Sequence, residues 1–116
     1  MTIALYGIPN CDTVKKARTW LDARGIGYAF HDYKKEGADP AKLEEWIAAK
    51  GLETVLNKRG TTYRKLSDAE KADAADERKA IALLAANPSM IKRPIAESGD
   101  TVLVGFGVAE WEALFG

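Results

Sequence analysis

Residues 3 to 21, IALYGIPNCDTVKKARTWL, change hydrophobic period across a short turn. Residues 2 to 7, TIALYG, combine β-branched, apolar and aromatic side chains and close on glycine, the pattern of a strand. Ile8, Pro9 and Asn10 carry turn chemistry. From Asp12 to Arg24, Val14, Ala17, Trp20 and Leu21 recur at spacings of three and four. They form one apolar helical face, with Lys15, Lys16, Arg18 and Asp22 largely off it. A strand followed so closely by an amphipathic helix must bury both apolar faces against one another, which points to an α/β chain. The turn between them holds Cys11, the only cysteine.

The remaining pattern extends that start. Gly25 and Gly27 end the helix, and YAFHDY, residues 28 to 33, reads as a second strand. KKEGADP is expected to be a loop, with Asp39 as a helix cap and Pro40 at the first helical position. Leu43, Trp46 and Ile47 mark a helix that stops at Gly51, and LETVLN a short one. KRGTTYRKL, residues 58 to 66, reads as a basic loop. Ser67 and Glu70 have capping-box spacing ahead of an Ala-rich stretch that divides into two helices near residues 74 to 76. NPSMIKRPI interrupts the helical pattern with two prolines, and TVLVGFG is a strand. Val108 to Phe115 is expected to close the chain as an amphipathic helix with Val108, Trp111, Leu114 and Phe115 on one side. Trp20, Trp46 and Trp111 are each expected in the core. The order is β-α-β, an α-rich middle and a final β-β-α. That is the thioredoxin-like arrangement, one domain over 1–116 with a helical insertion at about 39–90.

Composition narrows the function. Lys+Arg and Asp+Glu both number 17, so the chain lacks the positive surplus that phosphate neutralisation demands. No direct nucleic-acid partner is expected. One cysteine excludes an internal disulfide framework, and one Cys with one His makes a transition-metal site improbable. No stretch approaches the ~20 apolar residues that span a bilayer, and the start lacks a signal-peptide pattern. The expectation is a cytoplasmic monomer in a reducing compartment, where a free thiol persists.

If the strand ends near Gly7 and the helix begins near Asp12, Cys11 sits at a helix N-terminus. Unpaired backbone N–H groups and the helix dipole there favour a thiolate and make the sulfur a better nucleophile. Lys15, four residues on, can share a helix face with it. The competing interpretation is a buried cysteine acting as a small apolar residue. Residue 14 is Val, so there is no C-x-x-C pair, and any adduct on Cys11 must be resolved by a second molecule.

IKRPI, residues 91 to 95, is the second constellation. An X–Pro bond is where cis peptides occur, and the residue before proline is held extended. In thioredoxin-like proteins a proline at the start of the third strand lies against the cysteine. With Pro94 in that role, Arg93 would present a guanidinium beside Cys11, stabilising the thiolate and gripping an oxyanion or carboxylate. The alternative is a surface arginine ahead of a strand-initiating proline.

LYGIPNCDTVKKARTWL, RGTTYRKL, IKRPI and LVGF, in this order and spacing, resemble the arsenate reductase (ArsC)-related family. The likeness is greatest to its small YffB-type branch, beside the Spx-type transcription regulators. The resemblance implies a thioredoxin-like fold with a helical insertion, a nucleophilic cysteine at Cys11, and Arg93 and Pro94 as the arginine and cis-proline of the site. It also implies two further oxyanion arginines and a histidine shortly before the nucleophile. Their places here fall on Glu53 or a neighbour, on Gly105 or Phe106, and near Gly7, which argues against arsenate reduction itself. In their stead, Lys58, Arg59, Arg64 and Lys65, with Thr61 and Thr62, offer an anion site suited to glutathione carboxylates, or else a solvated basic loop.

These readings lead to a monothiol oxidoreductase with Cys11 and Arg93 as catalytic residues. Asn10, Lys15, Arg59, Arg64 and Pro94 are its substrate- or glutathione-binding residues. No bound cofactor or metal is expected. Glutathione or a thioredoxin-type protein would serve as reductant, and a small molecule or disulfide as substrate. The rival is a non-enzymatic Spx-like regulator that docks on RNA polymerase. His31 is expected as a strand packing residue.

Overall fold

A computed structural model describes residues 3–115. Backbone contacts divide the chain into two compact units: the residues up to Asp32 together with those from Arg93, and Tyr33–Lys92.

The first unit is built on a four-stranded mixed sheet. Strand β1 (Ile3–Gly7) leads into helix α1 (Asp12–Ala23) and strand β2 (Tyr28–Asp32). The chain returns as β3 (Ile95–Ser98) and β4 (Thr101–Val104), numbered in chain order, and closes with helix α8 (Val108–Phe115). The sheet order is β2-β1-β3-β4, with β1 parallel to β2 and antiparallel to β3, and β3 antiparallel to β4. This is the α/β, thioredoxin-like arrangement expected from the order of elements.

One face of the sheet carries the core. Ile3 and Leu5 of β1, Ala96 of β3 and Leu103 of β4 pack with Ala17 and Leu21 of α1 and Trp111 of α8, all buried. Alternate residues of β1 point the same way because a strand turns its side chains over every residue. Trp20, Tyr28, Phe30, Phe106 and Phe115 close the edge of this cluster half-buried. Trp20 therefore sits at the rim of the core and not inside it.

The closing helix spans Val108–Phe115 as the periodicity predicts, but its apolar face is narrower than expected. Trp111 and Phe115, four residues apart, face the cluster, whereas Val108 is 50 % and Leu114 40 % exposed. With eight residues the helix presents only one short stripe to the sheet.

The second unit is helical: α2 (Tyr33–Glu36), α3 (Pro40–Lys50), α4 (Leu52–Val55), α5 (Thr61–Arg64), α6 (Asp68–Ala74), α7 (Glu77–Ala86) and a 3₁₀ turn at Pro88–Met90. Helix α7 packs on α3 and α6. Leu43, Trp46 and Ile47 are buried from α3, and Ala80 and Leu84 from α7. The predicted caps are present. The Asp39 side chain accepts from the Ala41 amide, and Ser67 and Glu70 form a reciprocal capping box. A third cap, Asp76, accepts from the Arg78 and Lys79 amides and separates α6 from α7.

Two expected loops contain helical turns instead. Tyr33 does not extend β2 but starts α2, because its buried ring places the hydroxyl where it donates to the Ile91 carbonyl at 3.0 Å. KRGTTYRKL contains the single turn α5, and the Thr62 hydroxyl is engaged with Ser89 at 2.8 Å. Among the described residues no helix is long and apolar enough to cross a membrane, and no group of three or more His, Cys, Asp or Glu could hold a metal ion.

Candidate active site

Cys11 is the N-cap of α1, with extended backbone angles and a carbonyl that accepts from the Lys15 amide at 2.9 Å. The approach to it is tight. The Cys11 amide donates to the Ile8 carbonyl at 3.1 Å, closing the Ile-Pro-Asn turn. Gly7, which ends β1, lies so close to α1 that a Cβ there would meet Val14 Cγ2 at 2.8 Å. Glycine lets strand and helix approach at that point, and the place where the resemblance implies a histidine has no room for one.

The sulfur is half-buried and free, not sealed in apolar packing. Burial, the largest single influence, pushes the Cys11 thiol up. The Val14 amide, the Arg93 side chain, the Thr13 amide and the Arg93 charge together outweigh it, and the thiol lies below its ordinary value. The neutral side chain makes no capping hydrogen bond. It is the ionised sulfur that the second and third amides of the helix favour, as an anion at a helix N-terminus should be. Val14 thus serves the site through its amide while its side chain is buried in the core.

Arg93 is half-buried and joined to buried Pro94 by a cis peptide bond. Pro94 is anchored on the neighbouring turn, its carbonyl accepting from the Gly105 amide at 2.8 Å. Gly105 has φ +80°, in the left-handed region, and its carbonyl accepts from Trp111 Nε1 at 3.1 Å. A glycine turn therefore stands where the resemblance implies a further arginine, and Phe106 packs against Trp111 with centroids 5.0 Å apart.

The first unit therefore brings together Cys11, Arg93 and Pro94, with exposed Asn10 in the adjoining turn. Lys15, one helical turn on from Cys11, lines a groove along α1, and Arg93 is the cation that lowers the thiol pKa. Arg59 and Arg64 belong to the second unit and are exposed. The Arg59 amide donates to Asn57 Oδ1 at 3.1 Å, and Arg64 ends α5. His31 stacks on Tyr6 with ring centroids 4.9 Å apart, a packing role on the sheet. Sequence reasoning missed the groove beside α1, formed by Trp20, Phe106 and Val108. The signal for it was the pair of lysines flanking one edge of the apolar stripe.

A model of the ArsC family matches residues 6–114. A solved YFFB protein is 54 % identical, with a TM-score of 0.94 over 98 % of this chain and 99 % of that one. A solved arsenate reductase (ArsC) related protein from Brucella melitensis is 47 % identical, with a TM-score of 0.77 over 99 % and 95 %. The global transcriptional regulator Spx of Streptococcus pyogenes is 27 % identical over 96 % of this chain and 83 % of its own. This chain belongs to the ArsC family.

Proposed function

We propose that the chain is a monothiol oxidoreductase that reduces disulfides through Cys11, with glutathione as the reductant, in a reducing cytoplasm. The observation that carries this reading is the half-buried sulfur favoured as a thiolate by the Val14 and Thr13 amides and by Arg93. A thiolate at neutral pH is the species that attacks a disulfide, and a thiol of lowered pKa is also the better leaving group.

The chemistry follows in three exchanges. The Cys11 thiolate attacks one sulfur of the substrate disulfide. A new S–S bond forms to Cys11, the old one breaks, and the departing thiolate takes a proton from water. A first glutathione thiolate then attacks the Cys11 sulfur, releases the remaining substrate thiol and leaves glutathione on Cys11. A second attacks that glutathione sulfur, yielding oxidised glutathione and restoring the Cys11 thiolate. One disulfide is reduced and two glutathiones are oxidised. Arg93 holds the thiolate before attack and again as it leaves. In this reading Asn10 and Pro94 border the approach to the sulfur, Lys15 lines the groove that leads from it, and no residue of the second unit is used. Arsenate reduction is not part of it, because the two further oxyanion arginines that the resemblance implies fall on Glu53 or a neighbour and on Gly105 or Phe106, and its histidine falls near Gly7.

The test is incubation with oxidised glutathione at neutral pH followed by mass spectrometry, together with turnover of hydroxyethyl disulfide by glutathione. The expected result is one glutathione on Cys11 and turnover that Cys11→Ser abolishes. An unmodified Cys11 with no turnover refutes the proposal.

The similarity to Spx along nearly the whole chain favours a second reading, a regulator that binds RNA polymerase. Capture of the polymerase α subunit at stoichiometric yield, insensitive to Cys11→Ser, would support it over the enzyme.

A further inference from the structure

The stripe of α1 that runs away from Cys11 borders an apolar groove of about 440 Å³, lined among others by Lys15, Lys16, Trp20, Arg24, Phe106 and Val108. Its floor is rigid. Trp20 meets Phe106 and Trp111 edge-on with centroids 6.2 and 5.9 Å apart, and the Arg24 guanidinium lies 4.1 Å over the Trp20 ring. Arg24 is neutralised by Glu112 at the far end. Lys15 and Lys16, at the end nearer the sulfur, form no ion pair among the described residues. The groove thus offers an apolar floor with unpaired positive charge toward its Cys11 end. Glutathione has no apolar side chain to fill such a floor. A second copy of the chain would set lysine against lysine across a two-fold interface.

We propose that this groove docks an extended segment of a protein substrate, one that carries the disulfide attacked by Cys11 with acidic and apolar residues beside it. The inference rests on Cys11 acting as the nucleophile described above, and it names the substrate class. Helix α1 and its two caps, from Cys11 to Arg24, span about 20 Å, the reach of about six extended residues. A cysteine over the Cys11 sulfur then leaves the following residues along the groove. Acidic groups face Lys15 and Lys16, and an apolar side chain rests on Trp20 and Phe106. The exchange is the first step written above, with the peptide disulfide as the bond that breaks.

The experiment compares reduction by the full chain of three disulfides: a peptide with Asp and Leu beside the cysteine, the same peptide with Lys and Ser there, and hydroxyethyl disulfide. The expected result is kcat/KM about tenfold higher for the acidic apolar peptide than for the lysine peptide. The double variant Lys16→Glu, Val108→Glu, both at exposed positions, erases that preference. Binding is read without chemistry by titrating a cysteine-free acidic peptide into Cys11→Ser and following the indole N–H resonance of Trp20 in NMR spectra. That N–H has no acceptor in the structure, so a docked segment is expected to shift it. Equal rates for the two peptides, or an unmoved Trp20 resonance, overturn the docking proposal even when hydroxyethyl disulfide is reduced. Self-association that Val108→Glu abolishes also overturns it, by assigning the groove to a second copy. Failure with hydroxyethyl disulfide as well overturns the redox reading beneath it.

Discussion

At Cys11 one effect that disfavours charge competes with several that favour it. Burial alone would hold the thiol protonated, yet two helix amides and one guanidinium reverse the balance. The consequence reaches stability. The thiol pKa is lower in the folded chain than in the unfolded one, so ionisation adds stability. That contribution is complete above the ordinary thiol range and is lost as pH falls through the folded value. Urea midpoints of the wild type and Cys11→Ser, measured with reductant between about pH 6 and 9.5, are therefore expected to diverge in favour of the wild type as pH rises. Parallel curves would show that the thiolate gains nothing from the fold. The role of Lys15 divides in a similar way. Spacing puts it on the sulfur's helix face, and the groove beside Trp20 gives its long stem an apolar surface to lie along.

At the scale of elements, the junction of β1 and α1 is set by a missing side chain. Gly7→Ala drives a Cβ onto the β-branched Val14, and overpacking of this kind costs roughly 1–3 kcal/mol. Urea denaturation measures it. Combining it with Val14→Ala relieves the clash, so the double variant is expected to lose less than the sum of the two single losses. Full additivity would mean that the two positions do not meet. The capping box on α6 is a separate local device, and Ser67→Ala is expected to cost about 1 kcal/mol. The caps at Asp39 and Ser67 and the spans of α1 and α8 were legible in the sequence because each is decided within a few residues of itself. Tyr33 was not, since its hydroxyl answers to a carbonyl 58 residues away. Val108 and Leu114 follow the apolar period of α8, but only the packed position of the sheet decides which part of that stripe is covered.

For the molecule as a whole, the thioredoxin-like fold was legible from the succession of elements, and the thiol from its place between strand and helix. The pairing of Cys11 with Arg93 spans most of the chain. Residue pattern alone left that arginine balanced between the site and the surface, and the sheet that sets β3 beside β1 brings it to the sulfur. The groove was not legible, because its walls come from α1, the turn after β4 and the start of α8. An equal number of acidic and basic residues across the chain fits recognition of small or peptide partners through local charge. The central claim is that the fold holds the pKa of its one sulfur below the ordinary thiol value. The rate of Cys11 alkylation by iodoacetamide, followed against pH in the wild type and in Arg93→Ala, tests it most directly. The account predicts an inflection below the ordinary thiol range that moves up when the guanidinium is removed. An inflection at or above the ordinary thiol value, or one that Arg93→Ala leaves in place, would contradict it.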